Sequence, residues 1–137
     1  MAVGTRREAR ERALGLLYEA DAKGQSLPEV LAELPVVPEA FVIDVVRGVE
    51  ARGAEIDGLI SDHSIDWTID RMAVVDRTLL RMATFELLDR VDVPTGVVIS
   101  EAVALAKEYS TEDSGRFVNG VLAAVASAVR PGTASPG

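Results

Sequence analysis

Apolar residues recur at helical spacing along most of the chain. In residues 6–23 they follow at successive spacings of four, three, one and three and form one helical face, at Ala9, Ala13, Leu16, Leu17 and Ala20. Gly24 is expected to end this first helix. Ser26 predicts a short second helix through Glu33, because Glu29 stands three residues later and completes a capping box.

A longer apolar stripe follows the next two prolines. Residues 39–62 keep a helical period and predict one long helix, in which Gly48 and Gly53 are weak points. A short helical or turn segment is expected at residues 67–72. Residues 74–89 then carry a broad apolar face, so we expect this helix to be central in the fold.

Two further helices are predicted at the C-terminal end. Pro94 favours extended backbone before it, and the next helix opens at Thr95 or Gly96 and continues to residue 109. The last helix spans about 113–129. Gly120 lies inside its apolar pattern, where glycine costs helix stability, so we expect a close backbone approach or a packing constraint there.

Together these elements predict an all-α fold of about seven helices in two stacked bundles. A chain of 137 residues fits one domain, expected over residues 1–130, with subdomains at about 5–63 and 64–130. Residues 131–137 are expected to be a disordered tail.

The composition and the absence of motifs exclude several kinds of catalytic and metal site. Cysteine is absent, which excludes disulfides, thiolate nucleophiles and cysteine-ligated metals. The single histidine has no catalytic motif beside it, and the common motifs for metalloproteases, nucleotide binding and serine hydrolases are missing. We therefore predict no enzymatic activity, no metal site and no cofactor. No long apolar run or signal peptide occurs, so a cytoplasmic protein without membrane contact is expected.

Charge is unevenly distributed. The net charge of −8 argues against nucleic acid unless cations are gathered locally. They are gathered in the first helix, where four arginines and two glutamates fall within seven residues, namely Arg6, Arg7, Glu8, Arg10, Glu11 and Arg12. Guanidinium groups with a nearby ring, here Tyr18, are typical of single-stranded RNA recognition. The alternative to RNA recognition, which the sequence leaves open, is a solvent-exposed helix end with ion pairs between these arginines and glutamates.

Other polar residues have two interpretations each. Arg77 and Arg81 form a basic pair on the central helix, which a surface row flanking the core explains equally well. Asp113 and Ser114 stand at a helix start, where they can cap backbone N–H groups. Arg116 lies three residues after Asp113, about one helical turn further along.

Three segments carry a resemblance over nearly the whole chain: RREARERALGLLYEAD, VVDRTLLRMATFELL and DVPTGVVISEAVALAKEYSTEDSGRFVNGVL. They resemble the NusB family of bacterial transcription antitermination factors. The resemblance implies an all-α fold of two helical bundles. It also implies binding of boxA-containing single-stranded RNA in nascent ribosomal RNA transcripts, together with the small-subunit ribosomal protein NusE, in the transcription elongation complex.

The resemblance also implies which residues contact RNA. By position they are Arg6, Arg7, Arg10, Tyr18, Asp76, Asp113, Arg116 and Phe117. Arg77, from the basic pair, is a further candidate. An acidic side chain can accept from a base amino group but repels phosphate, so Asp76 and Asp113 should tune selectivity more than affinity.

Two alternatives accompany this interpretation. The helical domain also resembles the N-terminal part of ribosomal RNA cytosine methyltransferases, but the cysteine nucleophile of that activity is absent. The chain could instead be a protein-interaction adapter or homodimer without RNA specificity of its own. Salt dependence separates the two, because phosphate contacts weaken steeply with salt and apolar interfaces do not.

Overall fold

The computed structural model describes residues 5–65 and 67–132. These ranges contain seven α-helices and no strand, which confirms the all-α prediction. The helices are α1 Arg6–Lys23, α2 Leu27–Ala32, α3 Ala40–Ala51, α4 Gly53–His63, α5 Val74–Asp89, α6 Thr95–Tyr109 and α7 Glu112–Val129, with a 3-10 helix at Ile69–Arg71. None of these helices is long and apolar enough to cross a membrane. Residues 133–137 of the predicted tail lie outside the described residues.

Local capping sets the ends of the first two helices. Thr5 and Glu8 form a reciprocal capping box at the start of α1, and Gly24 ends it in the left-handed region at φ 64°. Ser26 and Glu29 form the predicted capping box of α2. Side chains close in sequence therefore satisfy the backbone donors that each helix start leaves open.

The predicted long helix over residues 39–62 is wrong, because the chain bends at Arg52. This residue has φ −107° and ψ 21°, so α3 ends before it and α4 begins at Gly53. The Arg52 side chain binds the carboxylates of Glu55 and Asp89. The prediction also gives seven helices, but it counts 39–62 as one helix and 67–72 as another. In the described residues the first segment is two helices, α3 and α4, and the second contains only a 3-10 turn.

The fold is organised around α5, as its broad apolar face predicts. This helix contacts α1, α3, α4, α6 and α7, and most of its residues are buried. The packing places α1–α3 together on one side and α4 with α6 and α7 on the other. Helix α4 therefore packs mainly with the later helices, while the subdomain boundary near residue 63 stays a prediction.

The close backbone approach expected at Gly120 is also wrong. Gly120 is exposed, and a Cβ added there would meet nothing within 4 Å. The approach occurs at Gly48 instead, where an added Cβ would lie 2.0 Å from the Phe85 ring. Because Gly48 has no side chain, α3 can pack closely against the Phe85 ring of α5 at this position.

Candidate nucleic-acid interface

Guanidinium groups converge on a ring at the start of α1, but the ring is Phe41 of α3 rather than Tyr18. The Arg6 guanidinium carbon lies 4.1 Å from the centre of this ring, that of Arg90 5.0 Å and that of Arg10 5.4 Å. Such cation–π contacts hold the arginines close together. Arg6 is exposed, so its guanidinium remains accessible to a phosphate.

Arg10, for which the resemblance implies an RNA contact, is buried in the fold. Its residue is 3% exposed, and its Nε and Nη2 donate to the two carboxylate oxygens of Glu86 at 2.9 and 2.7 Å. Glu86 is 2% exposed. Arg10 lies three and seven residues before the buried Ala13 and Leu17, so it belongs to the α1 face that packs on α5.

Arg7 is paired but accessible. Its Nε and Nη2 donate to Oε1 and Oε2 of Glu101 on α6 at 2.7 and 2.6 Å. These hydrogen bonds raise the pKa of Arg7 and lower the pKa of Glu101. Because both partners stay charged, any phosphate that reaches Arg7 meets a guanidinium already bound to a carboxylate.

A polar row runs along α1 beside α6. Arg7, Glu11 and Tyr18 are spaced by four and seven residues and share a face, which extends roughly 16 Å at 1.5 Å per residue. Glu11 accepts a hydrogen bond from the Tyr109 hydroxyl at 2.5 Å, and this raises the pKa of Tyr109 to about 12. Tyr18 is 47% exposed, so its ring can stack with a ligand.

A pocket of about 360 Å³ lies beyond the C-terminal end of α6, between the 3-10 helix, α5 and α7. It is lined by Trp67, Arg71, Met72, Ala73, Asp76, Thr111, Asp113, Ser114 and Phe117. Thr111 follows Tyr109 by two residues, so the row on α1 and the pocket belong to neighbouring parts of one surface. Three predicted site residues, Asp76, Asp113 and Phe117, meet in this pocket.

Asp76 provides the pocket with a buried carboxylate. It is 7% exposed, and its Oδ2 accepts from the Ser114 hydroxyl at 2.9 Å. Ser114 is held in turn by the hydroxyls of Ser110 and Thr111 at 2.9 and 3.1 Å. The Oδ1 atom has no hydrogen-bond partner among the described residues. A buried polar atom is normally paired, so this oxygen is an acceptor whose hydrogen-bonding capacity is unused.

Aromatic and cationic groups complete the pocket. Trp67 is 52% exposed and meets Phe117 edge-on, with ring centres 6.5 Å apart. Arg71 is exposed beside them. Neither Arg71 nor Trp67 was among the predicted site residues, because nothing in their spacing links them to α7. The hydroxyl of Thr111, rather than Asp113 or Ser114, caps α7.

The other residues predicted to contact RNA on α5 and α7, namely Asp113, Arg116 and Arg77, all form ion pairs within the protein. Asp113 and Arg116 are exposed and bind each other across one turn of α7. Arg77 is engaged elsewhere: it binds the Asp21 carboxylate at 3.3 Å and the carbonyl of Ile69 at 3.4 Å. The structure therefore gives Arg77 a role in joining α1 and α5 rather than a free guanidinium.

Comparisons with known proteins agree on one family. A model of the NusB family matches residues 7–127. The transcription antitermination protein NusB of Acidothermus cellulolyticus is 46% identical over 136 residues, which cover 96% of this chain and 93% of that protein.

Solved structures agree with the sequence relatives. The structure of T. maritima NusB has a TM-score of 0.81 at 36% identity and covers 91% of this chain and 92% of its own. A structure of the antitermination factors NusB and NusE in complex with dsRNA has a TM-score of 0.76 at 32% identity, with coverage of 90% and 96%.

Proposed function

The chain belongs to the NusB family, and on that premise we propose that it is a transcription antitermination factor. It binds boxA-containing single-stranded RNA of nascent ribosomal RNA transcripts together with NusE, and so promotes processive transcription of ribosomal RNA operons. It acts in the cytoplasm as a binding protein without catalysis. The relatives carry this name, and one solved relative is a complex of NusB, NusE and dsRNA.

The pocket between the 3-10 helix, α5 and α7 is the observation that carries the RNA-binding part of the proposal. An unstacked base is recognised by stacking on aromatic rings and by hydrogen bonds to its edge. Trp67 and Phe117 provide the rings, and Asp76 Oδ1 provides a fixed acceptor for a base amino group. The volume of about 360 Å³ is in the range of small-ligand sites.

The backbone of the RNA follows arginines that remain accessible. Within the described residues, the arginines without an ion pair are Arg6, Arg12, Arg47 and Arg71. Arg6 lies at the start of α1 and Arg71 at the pocket, and between them the α1 row presents Tyr18. We assign the phosphate contacts to Arg6, Arg7 and Arg71, and the rim contacts to Asp113 and Arg116.

A titration of a boxA-like RNA with and without NusE tests the function. Binding should be weak with this protein alone and tighter with NusE, because two modest surfaces on one RNA share the cost of ordering it. A scrambled RNA of the same length and composition is the control. Equal affinity for both RNAs in the presence of NusE, or no binding to either, would contradict the proposal.

Salt dependence separates RNA binding from the adapter or homodimer alternative. Three phosphate contacts on a single strand predict a slope of about −2 in log K against log salt, at roughly 0.7 per contact. An apolar adapter surface would give a slope near zero, and a homodimer would show concentration-dependent sedimentation.

A pair of variants locates the site. Arg71→Ala should weaken RNA binding across sequences, as the loss of a phosphate contact does. Arg47→Ala is the matched control, because Arg47 is also exposed and without an ion pair but lies on α3. Equal losses from both variants would place the RNA elsewhere.

A further inference from the structure

Glu101 occupies the edge of the Arg7 guanidinium that a phosphate would use. Both carboxylate oxygens accept from Arg7, at 2.7 Å from Nε and 2.6 Å from Nη2. This is the two-point geometry with which arginine also binds phosphate. Arg7 cannot offer the same edge to Glu101 and to RNA at once.

Arg10 provides Glu101 with a second cation. Its Nη1 lies 3.8 Å from Glu101 Oε1, while its Nε and Nη2 stay bound to Glu86. Arg10 is held in place by burial and by this pair. If the Arg7 side chain turned toward solvent, the Glu101 carboxylate would still face the fixed positive charge of Arg10. Glu101 can therefore lose its contact with Arg7 without becoming an unpaired carboxylate.

We propose that Glu101 is an internal competitor for Arg7: it holds this guanidinium in the free protein, and an RNA phosphate displaces it while Arg10 retains the carboxylate. This proposal rests on the proposed RNA binding and adds how its strength is set. An RNA that cannot place a phosphate at Arg7 leaves the Arg7–Glu101 pair intact and binds without that phosphate contact. Glu101 therefore lowers affinity for every RNA and leaves appreciable binding only to those that also fill the pocket.

The charge of Glu101 can be removed with little change of shape. Glu101→Gln should strengthen binding of the boxA-like RNA at low salt by roughly two- to fivefold, the size expected for an exposed ion pair. Glu108→Gln is the control. It removes one charge from the same helix near Arg7, at the exposed C-terminal end of α6, but Glu108 is not hydrogen-bonded to that guanidinium.

A double variant isolates the pair. In the Arg7→Ala background, Glu101→Gln should give no further gain, because the guanidinium that it would free is absent. Glu101→Ala, measured in parallel with a thermal melt of each variant, should show the same gain as the glutamine variant.

The outcomes are distinct. Unchanged or weaker RNA binding by both folded Glu101 variants would overturn the proposal and make Glu101 a residue that positions Arg7. An equal gain from Glu108→Gln, or a gain that survives in the Arg7→Ala background, would overturn it in favour of a general charge effect. Failure of the unaltered protein to bind the boxA-like RNA with or without NusE would instead reject the proposed function.

Discussion

Arg10→Ala is predicted to destabilise the fold rather than to remove an RNA contact. The substitution takes away both donors of Glu86, whose side chain is 2% exposed. The carboxylate would then stay buried between α1 and α5 without its cation. Burial of an unpaired charge is costly because neither water nor a partner compensates it.

The cost can be estimated from the geometry. Breaking a buried ion pair by removing one partner destabilises a protein by roughly 3–5 kcal/mol. Typical domains have an unfolding free energy of about 5–15 kcal/mol, so the loss is a large share of the total. For a chain of this size the melting temperature should fall on the order of 10 °C.

Urea unfolding and a thermal melt measure the effect, and a titration with boxA-like RNA below the melting temperature measures binding. The double variant Arg10→Met with Glu86→Leu should recover most of the stability, because an apolar pair of similar size replaces the buried charges. A normal melt of Arg10→Ala combined with a marked loss of RNA affinity would refute this reasoning and restore Arg10 as a phosphate contact.

The remaining predictions concern other parts of the molecule. Gly120→Ala should stabilise the protein by about 1 kcal/mol in urea unfolding, because the site is open and alanine favours helix, whereas Gly48→Ala should destabilise it because the new Cβ meets the Phe85 ring. The reverse order would contradict the packing of α3 on α5. In an alkaline titration followed by tyrosinate absorbance, Tyr109 should ionise near pH 12, and Glu11→Gln should bring its pKa down toward 10, the ordinary value. Since the folded pKa is the raised one, the hydrogen bond stabilises the fold below pH 10 and its contribution is lost as the pH rises through about 12. Asp113→Asn should raise RNA affinity in a gel-shift titration, because it removes a negative charge at the rim of the pocket; unchanged or weaker binding would contradict this.

Helix positions were predictable where the signals are local. The capping box of Ser26 and Glu29 involves residues three apart, and the sequence alone predicts it. The bend at Arg52 was not predictable in the same way. The apolar stripe continues from Val49 to Ile56 across it, because α3 and α4 both turn an apolar face to α5.

The candidate site was predictable only in part, for a physical reason. Spacing shows which residues share a helix face but not which face the other helices cover. Arg6 and Arg10 share a face, yet only Arg10 lies deep enough along α1 to be enclosed by α5. The pocket brings together Trp67 from the loop before the 3-10 helix, Asp76 of α5 and Phe117 of α7, and no periodicity within one element reveals that contact.

The net charge of −8 and the proposed affinity for RNA are compatible because most arginines are already neutralised. Arg10 is bound by Glu86, Arg81 by Asp57 and Arg90 by Asp44 and Asp92, so the charges of these arginines are largely balanced within the fold. Of the arginines without an ion pair among the described residues, Arg6 and Arg12 lie on α1, Arg71 lies at the pocket and Arg47 lies on α3. Under the proposed function, an RNA that reaches both Arg6 and Arg71 gains two phosphate contacts on an otherwise anionic protein. On the proposed mode of binding, specificity is expected to depend on the base that enters the pocket and not on the total charge of the chain.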